Sequence, residues 1–233
     1  MTEAELRQKL VDTAKEYLGA VSGGDKHAEL VAVYNSIRPL PVGYTLKMSD
    51  DWCAAFVSAA AAKAGLLGII PAECSCPRQI RLWQSMGRWE ESDTFVPEPG
   101  DYIYYDWQDD GEKDNKGNPD HVGIVAAVSG KSISVIEGNV SRSVKYRNIT
   151  ANARNIRGYG VPDFALLSKE GGMRYKRLDD IPEGVYRDAV SEFVSLGIIK
   201  GKSDGTLDLS EDVIRGLIFG KRYVDMKIVE TER

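Results

Sequence analysis

A cysteine at the start of a predicted helix is the first residue whose surroundings favour chemistry. Cys53 lies in the segment Asp51–Val57, and the alanine-rich run behind it predicts a helix from about Trp52 to Ala64 that stops at Gly65. Free backbone N–H groups and the positive end of the helix dipole stabilise a thiolate there, and the thiolate is the nucleophilic form. Most free cysteines are simply small buried side chains. At this point the sequence leaves both interpretations open.

Two histidines are available as a base. His27 falls in an early predicted helix beside Lys26 and Glu29, where we expect a solvated surface residue. His121 instead opens a predicted strand, residues 121–128. A histidine at a strand edge needs a partner that fixes its tautomer, so His121 is the stronger candidate for a base.

The next predicted strand, residues 132–137, offers that partner. The short connection Ser129–Lys131 folds it back antiparallel to the first strand. Glu137 and Asn139 are two positions apart, so a regular strand would put both side chains on one face near His121. A cysteine, a histidine and an acidic or amide residue fit the roles of nucleophile, base and orienting group.

The elements that must hold these residues divide into two runs. The apolar residues recur with helical spacing as far as about Gly87 and with strand spacing after Pro97–Gly100, which indicates an α+β domain with an antiparallel sheet. The predicted helices begin near residues 2, 25, 52 and 78, and the predicted strands cover residues 102–105, 121–128, 132–137, 144–149 and 159–161.

The order of these segments resembles the CHAP family of cysteine- and histidine-dependent amidohydrolases and peptidases. The resemblance rests on Asp51–Val57, Pro99–Asp101, Asp120–Val125 and Ile136–Asn139. It implies a papain-like, NlpC/P60-like catalytic domain over residues 1–166 that cleaves amide bonds in peptidoglycan, as many phage endolysins do. It also implies four roles: nucleophile for Cys53, base for His121, orienting residue for Glu137 and auxiliary residue for Asn139.

The rest of the chain predicts a linker at residues 167–173 and a small helical module at residues 174–233. Three segments of this module are similar to one S-layer homology (SLH) repeat: Leu178–Pro182, Leu196–Gly201 and Asp204–Leu207. Tyr186 stands where that family usually has Trp, and Arg215 is what remains of its polar ligand motif. The resemblance implies attachment to a secondary cell-wall polymer. Packing on the main domain and oligomerisation are the alternatives.

Three other features are open to a functional and a structural interpretation. Aromatic side chains could line a substrate groove or pack in the core: Trp83, Trp89, Trp107, Tyr104 and Tyr105. Cys74 and Cys76 lack further ligands at zinc-finger spacing, which favours structural thiols over a metal site. The acidic loop Asp109–Asn115 could bind calcium, as in some CHAP relatives, but Lys113 and Lys116 favour a solvated loop. We therefore predict no metal or other cofactor.

Composition limits the class of protein to which the chain can belong and the compartment in which we expect it to be made. The chain has 233 residues and a net charge of −5, which argues against a nucleic-acid-binding protein. No apolar run is long enough to span a bilayer. The N-terminus has no secretory pattern, and three cysteines form no disulfide framework, so we expect synthesis in the cytoplasm and action on the wall after release. The alternatives are a host autolysin, a Cys–His acyltransferase and a non-catalytic wall-binding protein.

Overall fold

The computed structural model describes residues 1–108, 117–168, 174–202, 204–207, 209–210 and 213–221. Within it the chain divides into two compact units. One unit is Arg7–Pro162, and the other combines Met1–Leu6 with Asp163–Arg233. The predicted limits at residues 166 and 174 stay a prediction. No helix among the described residues is long and apolar enough to cross a membrane.

The N-terminal half of the chain is helical, as predicted. Thr2 and Glu5 form the reciprocal hydrogen bonds of a capping box at the first helix, with the Glu5 backbone N–H 3.1 Å from Thr2 Oγ1. Gly65 ends the third helix in the left-handed conformation. The fourth helix begins two residues earlier than expected, at Cys76. The helices are α1 (Glu3–Glu16), α2 (Asp25–Ser36), α3 (Cys53–Ala64) and α4 (Cys76–Ser85).

The second half of the larger unit forms a six-stranded antiparallel sheet in the order β1-β6-β2-β3-β4-β5. A two-residue turn at Gly130 and Lys131 joins β3 to β4, with Ser129 opposite Ser132. The strands are β1 (Trp89–Glu90), β2 (Tyr102–Tyr105), β3 (His121–Ser129), β4 (Ser132–Val140), β5 (Ser143–Thr150) and β6 (Ile156–Gly160). The predicted α+β, papain-like architecture is confirmed.

One face of the sheet packs on the helices. Helix α3 lies between α2 and strands β3 and β4. A Cβ at Gly138 would come within 2.6 Å of Phe56, so this glycine lets α3 approach β4 closely. Tyr104 donates from its hydroxyl to Gln79 of α4 at 2.8 Å. Side chains alternate along a strand, and Tyr105 follows Tyr104 while Glu137 precedes Gly138. Tyr105 and Glu137 therefore lie on the opposite face of the sheet.

The smaller unit has a core of its own. Tyr175, Ile181, Val190, Ile214 and Ile218 are buried together. This unit contains helix α5 (Val185–Ser195) and a helix at residues 213–221, both anticipated from the sequence. Ser210 Oγ accepts the backbone N–H of Val213 at 3.2 Å and so caps the helix at residues 213–221. A short sheet of β7 (Arg174–Tyr175) and β8 (Leu209–Ser210) was not predicted.

Candidate active site

Cys53 occupies the first position of helix α3, and the preceding residue is anchored in the core. Trp52 is buried and its ring packs on that of His27, with centroids 4.7 Å apart. The expectation of a solvated His27 was wrong, because this side chain is fully buried and its Nδ1 accepts the Gly23 N–H at 3.0 Å. His27 lies on the buried stripe of α2 with Leu30, a spacing that the sequence already contained.

His121 is held by a buried carboxylate. Its Nε2 lies 3.1 Å from Oε2 of Glu137, whose side chain is fully buried. Gly123 pairs with Glu137 across β3 and β4, and a Cβ there would lie 2.7 Å from Glu137 Cγ. Glycine at this position therefore leaves the space in which the Glu137 side chain reaches His121. Since Nε2 faces the carboxylate, Nδ1 remains for the thiol of Cys53.

Arg147 completes this arrangement, and it was not predicted from the sequence. Its Nε donates to both carboxylate oxygens of Glu137 at 2.8 Å. Its guanidinium carbon lies 4.6 Å from the centroid of the Trp107 ring, which stacks on Tyr105. Tyr105 in turn stacks on His121, with centroids 5.9 Å apart. Strand alternation puts Arg147 on the Glu137 face, but this was visible only once the β4–β5 register was known.

These contacts favour a charged pair of sulfur and imidazole. Hydrogen bonding from Cys76, then from His121 and the backbone of Ala54, outweighs burial and lowers the pKa of Cys53 to about 5. Burial lowers the pKa of His121, but the interactions with Cys53 and Glu137 outweigh it and raise that pKa to about 9. Between these values the thiolate and the imidazolium coexist. His121 and Arg147 likewise outweigh burial and lower the pKa of Glu137.

Cys76 lies directly against Cys53. The two sulfur atoms are 3.9 Å apart, and both side chains are buried. From the sequence, Cys76 was interpreted as a structural thiol because no further ligands stand at zinc-finger spacing, and its contact with Cys53 was not predicted. The observed helix starts at Cys76 itself, so its first residue points to the site. Cys74 is elsewhere, with its thiol donating to Glu73 Oε1 at 3.6 Å.

Asn139 does not lie on the same strand face as Glu137. The β4–β5 pairing shifts between Glu137 and Val140, and Asn139 has a positive φ of 63°. The expectation that Glu137 and Asn139 share a strand face therefore fails. Asn139 Nδ2 instead donates to Oδ1 of Asp51 at 3.0 Å. This bond ties the end of β4 to the segment that precedes the cysteine.

The remaining predicted features separate into core and surface. Trp83, Tyr104 and Tyr105 are fully buried, so the groove interpretation was wrong for these three, whereas Trp107 is 39% exposed. Within the described ranges, no group of three or more His, Cys, Asp or Glu side chains could hold a metal ion. The loop Asp109–Asn115 lies outside the residues that the structure describes.

This geometry can be compared with known families. Residues 44–139 match the CHAP domain. The matched segment contains Cys53, His121, Glu137 and Asn139. A search of curated proteins found no match to the chain. The CHAP domain indicates a cysteine- and histidine-dependent amidohydrolase or peptidase, and peptidoglycan is the substrate that it implies. The chain is therefore an enzyme of that class.

Proposed function

We propose that this protein hydrolyses an amide bond of the peptidoglycan peptide, with Cys53 as nucleophile and His121 as base and acid. The supporting observation is the chain of contacts that runs from the Cys53 sulfur through His121 and Glu137 to Arg147. It holds a thiolate beside an imidazolium in the CHAP domain, which is the reactive state of a cysteine hydrolase.

The first half of the reaction forms a thioester. The Cys53 thiolate attacks the amide carbonyl carbon, and the carbonyl electron pair moves to oxygen. The backbone N–H of Cys53, at the N-terminus of α3, is a candidate donor to that oxyanion. As the tetrahedral intermediate collapses, the C–N bond breaks and the His121 imidazolium gives its proton to the leaving amine.

The second half of the reaction releases the acid. His121, now neutral, takes a proton from water, and the hydroxide attacks the thioester carbonyl. The C–S bond breaks, the Cys53 thiolate is restored, and the imidazolium remains beside it. Glu137 keeps Nε2 protonated throughout, so Nδ1 is the atom that carries the proton between sulfur, amine and water. Each step uses groups of this chain and water.

Asp51 and Asn139 have a positioning role in this proposal. Their hydrogen bond joins the strand that carries Glu137 to the residues immediately before Cys53. Asn139 thus acts as the auxiliary residue through the backbone leading to the nucleophile, and Glu137 alone orients the imidazole.

The finer proposal is a phage-type endolysin that acts on the wall after release from the cytoplasm. It is supported by the combination of a CHAP domain with a C-terminal unit similar to an SLH repeat. In that unit Arg215 Nε donates to the Tyr186 hydroxyl at 2.6 Å. Arg215 is what remains of the family's polar ligand motif, and Tyr186 stands where the family usually has Trp. A secondary wall polymer is the proposed partner of this unit.

The test is to identify the products released from purified sacculi by mass spectrometry. An N-acetylmuramoyl-L-alanine amidase leaves glycan strands without peptide and frees the amine of the first alanine. An endopeptidase leaves shortened stems or opened cross-bridges. Either product supports the proposal and assigns the bond, whereas sacculi without any newly released amine overturn it.

A further inference from the structure

Two helices begin with a cysteine at the same place. Cys53 is the first residue of α3 and Cys76 the first residue of α4, and their sulfur atoms are 3.9 Å apart. Both thiols are free and buried. The positive end of each helix dipole therefore acts on the sulfur pair and favours one negative charge there.

The contacts decide which sulfur carries that charge. Cys53 has His121 and the backbone of Ala54 as further partners, and both stabilise its thiolate. Cys76 lacks these advantages: the hydrogen bond with Cys53, followed by burial, raises the pKa of Cys76 well above the usual value. In the reduced protein Cys76 is thus the donor, and Cys53 the acceptor, of an S–H to sulfur hydrogen bond.

We propose that Cys76 is a second functional thiol of this site: it donates its S–H to the Cys53 thiolate, and it closes a reversible disulfide with Cys53 after a hydroperoxide has oxidised Cys53. This inference rests on the proposed function, because it takes Cys53 as the nucleophile.

The oxidation has two balanced steps. The Cys53 thiolate attacks one peroxide oxygen, the O–O bond breaks, and hydroxide or alkoxide leaves, which gives a sulfenic acid at Cys53. The Cys76 sulfur then attacks the Cys53 sulfur, an S–S bond forms, and the S–O bond breaks. Hydroxide leaves with the proton of Cys76 as water. The thiols lose two electrons and the peroxide gains two.

Oxidation of Cys53 also changes the state of Cys76. The hydrogen bond to the thiolate and the negative charge of the thiolate are two of the causes that hold the proton on Cys76. A neutral sulfenic acid removes both, so Cys76 becomes easier to deprotonate at the moment when its attack is needed. The sulfurs must then close from 3.9 Å to a bond of about 2.0 Å.

The chain supplies a matched control in Cys74. This thiol lies two residues before Cys76, is half-buried and donates to Glu73 rather than to Cys53. Replacement of Cys74 by serine therefore removes a neighbouring thiol without touching the pair.

The first measurement is the pH dependence of Cys53 alkylation by iodoacetamide in the full chain, read by peptide mass spectrometry. In Cys76→Ala the alkylation rate near pH 4, below the pKa of Cys53, falls about tenfold, the equivalent of one pKa unit for a lost hydrogen bond to a charged group. Cys76→Ser keeps a donor and falls between the wild type and Cys76→Ala. Cys74→Ser follows the wild-type curve. A Cys76→Ala curve that coincides with the wild type overturns the proposal.

The second measurement is the product of peroxide treatment, and its decisive result is read on the wild-type protein. Wild-type protein treated with hydrogen peroxide gives a Cys53–Cys76 linked peptide that dithiothreitol removes. Cys74→Ser gives the same linkage, whereas Cys76→Ser proceeds to the sulfinic acid at Cys53. Wild-type protein in which Cys53 reaches the sulfinic acid without any linked peptide overturns the proposal.

Failure of this inference and failure of the proposed function give different results. Alkylation and disulfide formation are read on the protein itself, without peptidoglycan. A thiol pair that behaves as described in a protein releasing no amine from sacculi leaves the pair standing and removes the hydrolase proposal. An active hydrolase in which no Cys53–Cys76 linkage forms supports the hydrolase proposal and overturns the inference about the thiol pair.

Discussion

The charge on the Cys53 sulfur is stabilised by a few neighbours at the starts of two helices and one strand. Cys76, His121 and the N–H of Ala54 outweigh the cost of burial. Burial also makes each of these contacts stronger than it would be in water, since the local dielectric is low. The site therefore depends on charge complementarity among residues from separate elements.

The pH profile of hydrolysis follows from these two titrations. The thiolate takes up a proton below about 5, the pKa of Cys53, and the imidazolium loses its proton above about 9, the pKa of His121. We expect kcat/KM for soluble muropeptides to be flat between these values and to fall tenfold per pH unit on either side. A profile that rises steadily through pH 8 would indicate a neutral thiol and contradict the charged pair.

Arg147 is expected to act through Glu137. In Arg147→Met the buried carboxylate loses the cation that helps to keep it ionised, so the pKa of Glu137 rises and the acid limb of kcat moves to higher pH. We expect kcat to fall about tenfold, with KM nearly unchanged, because the loss affects orientation of the base.

Arg147→Lys is the matched variant, since it restores a cation without the Nε donor. Its acid limb should return towards the wild-type position. An Arg147→Met enzyme whose kcat and pH limbs both equal those of the wild type would show that Arg147 does not act on Glu137 during catalysis.

At the scale of elements, the site depends on glycines that bring strands and helices together. Gly138 lets α3 lie against β4, and Gly123 leaves the volume that the Glu137 side chain fills. Both positions lie within strands, where glycine weakens the strand unless a close approach requires it. Here the close approach is also what places the orienting carboxylate.

Gly123→Ala tests this placement. The new Cβ would lie 2.5 Å from Val135 Cγ1 and 2.7 Å from Glu137 Cγ, so Glu137 must move from His121. We expect a loss of about 1–3 kcal/mol in the free energy of unfolding, typical of overpacking, and a loss of activity larger than this destabilisation accounts for. Thermal melting and amine release measure the two effects.

Gly68→Ala is the control, because a Cβ there meets nothing within 4 Å. It should match the wild type in both measurements. A Gly123→Ala protein that is as stable and as active as the control would show that Glu137 does not need this space.

The elements could be predicted better than the contacts between them. Strand β2 and the hairpin of β3 and β4 were predicted closely, because alternation and turn residues are local signals. The shift that takes Asn139 away from Glu137 depends on pairing with β5, which no local pattern encodes. The contact of Arg147 with Glu137 could not be predicted for the same reason. The contact of Cys76 with Cys53 joins positions 23 residues apart, so it too has no local signal in the sequence.

At the scale of the whole molecule, the chain joins a unit that carries the candidate site, Arg7–Pro162, to a unit with its own core, which includes Tyr175 and Ile214. The second unit contains none of the four residues predicted for catalysis. A separate binding role for residues 174–233 is consistent with this division of the chain.

Wall binding tests that role. In the Cys53→Ala background, which leaves the wall intact, we compare co-sedimentation of the full chain with that of a chain ending at Ser168. We expect the full chain to pellet with walls and the shortened chain to stay in the supernatant, provided that its circular dichroism spectrum indicates a folded protein. Equal sedimentation of two folded proteins would assign binding to residues 1–168.

The central claim is that the Cys53 sulfur attacks the peptidoglycan amide. The most direct measurement is the rate of amine release from purified sacculi by the wild type and by Cys53→Ala, with Cys74→Ala as the matched control. We predict release by the wild type and the control, and none above background by Cys53→Ala with an unchanged melting temperature. Release by Cys53→Ala at the wild-type rate would contradict the account.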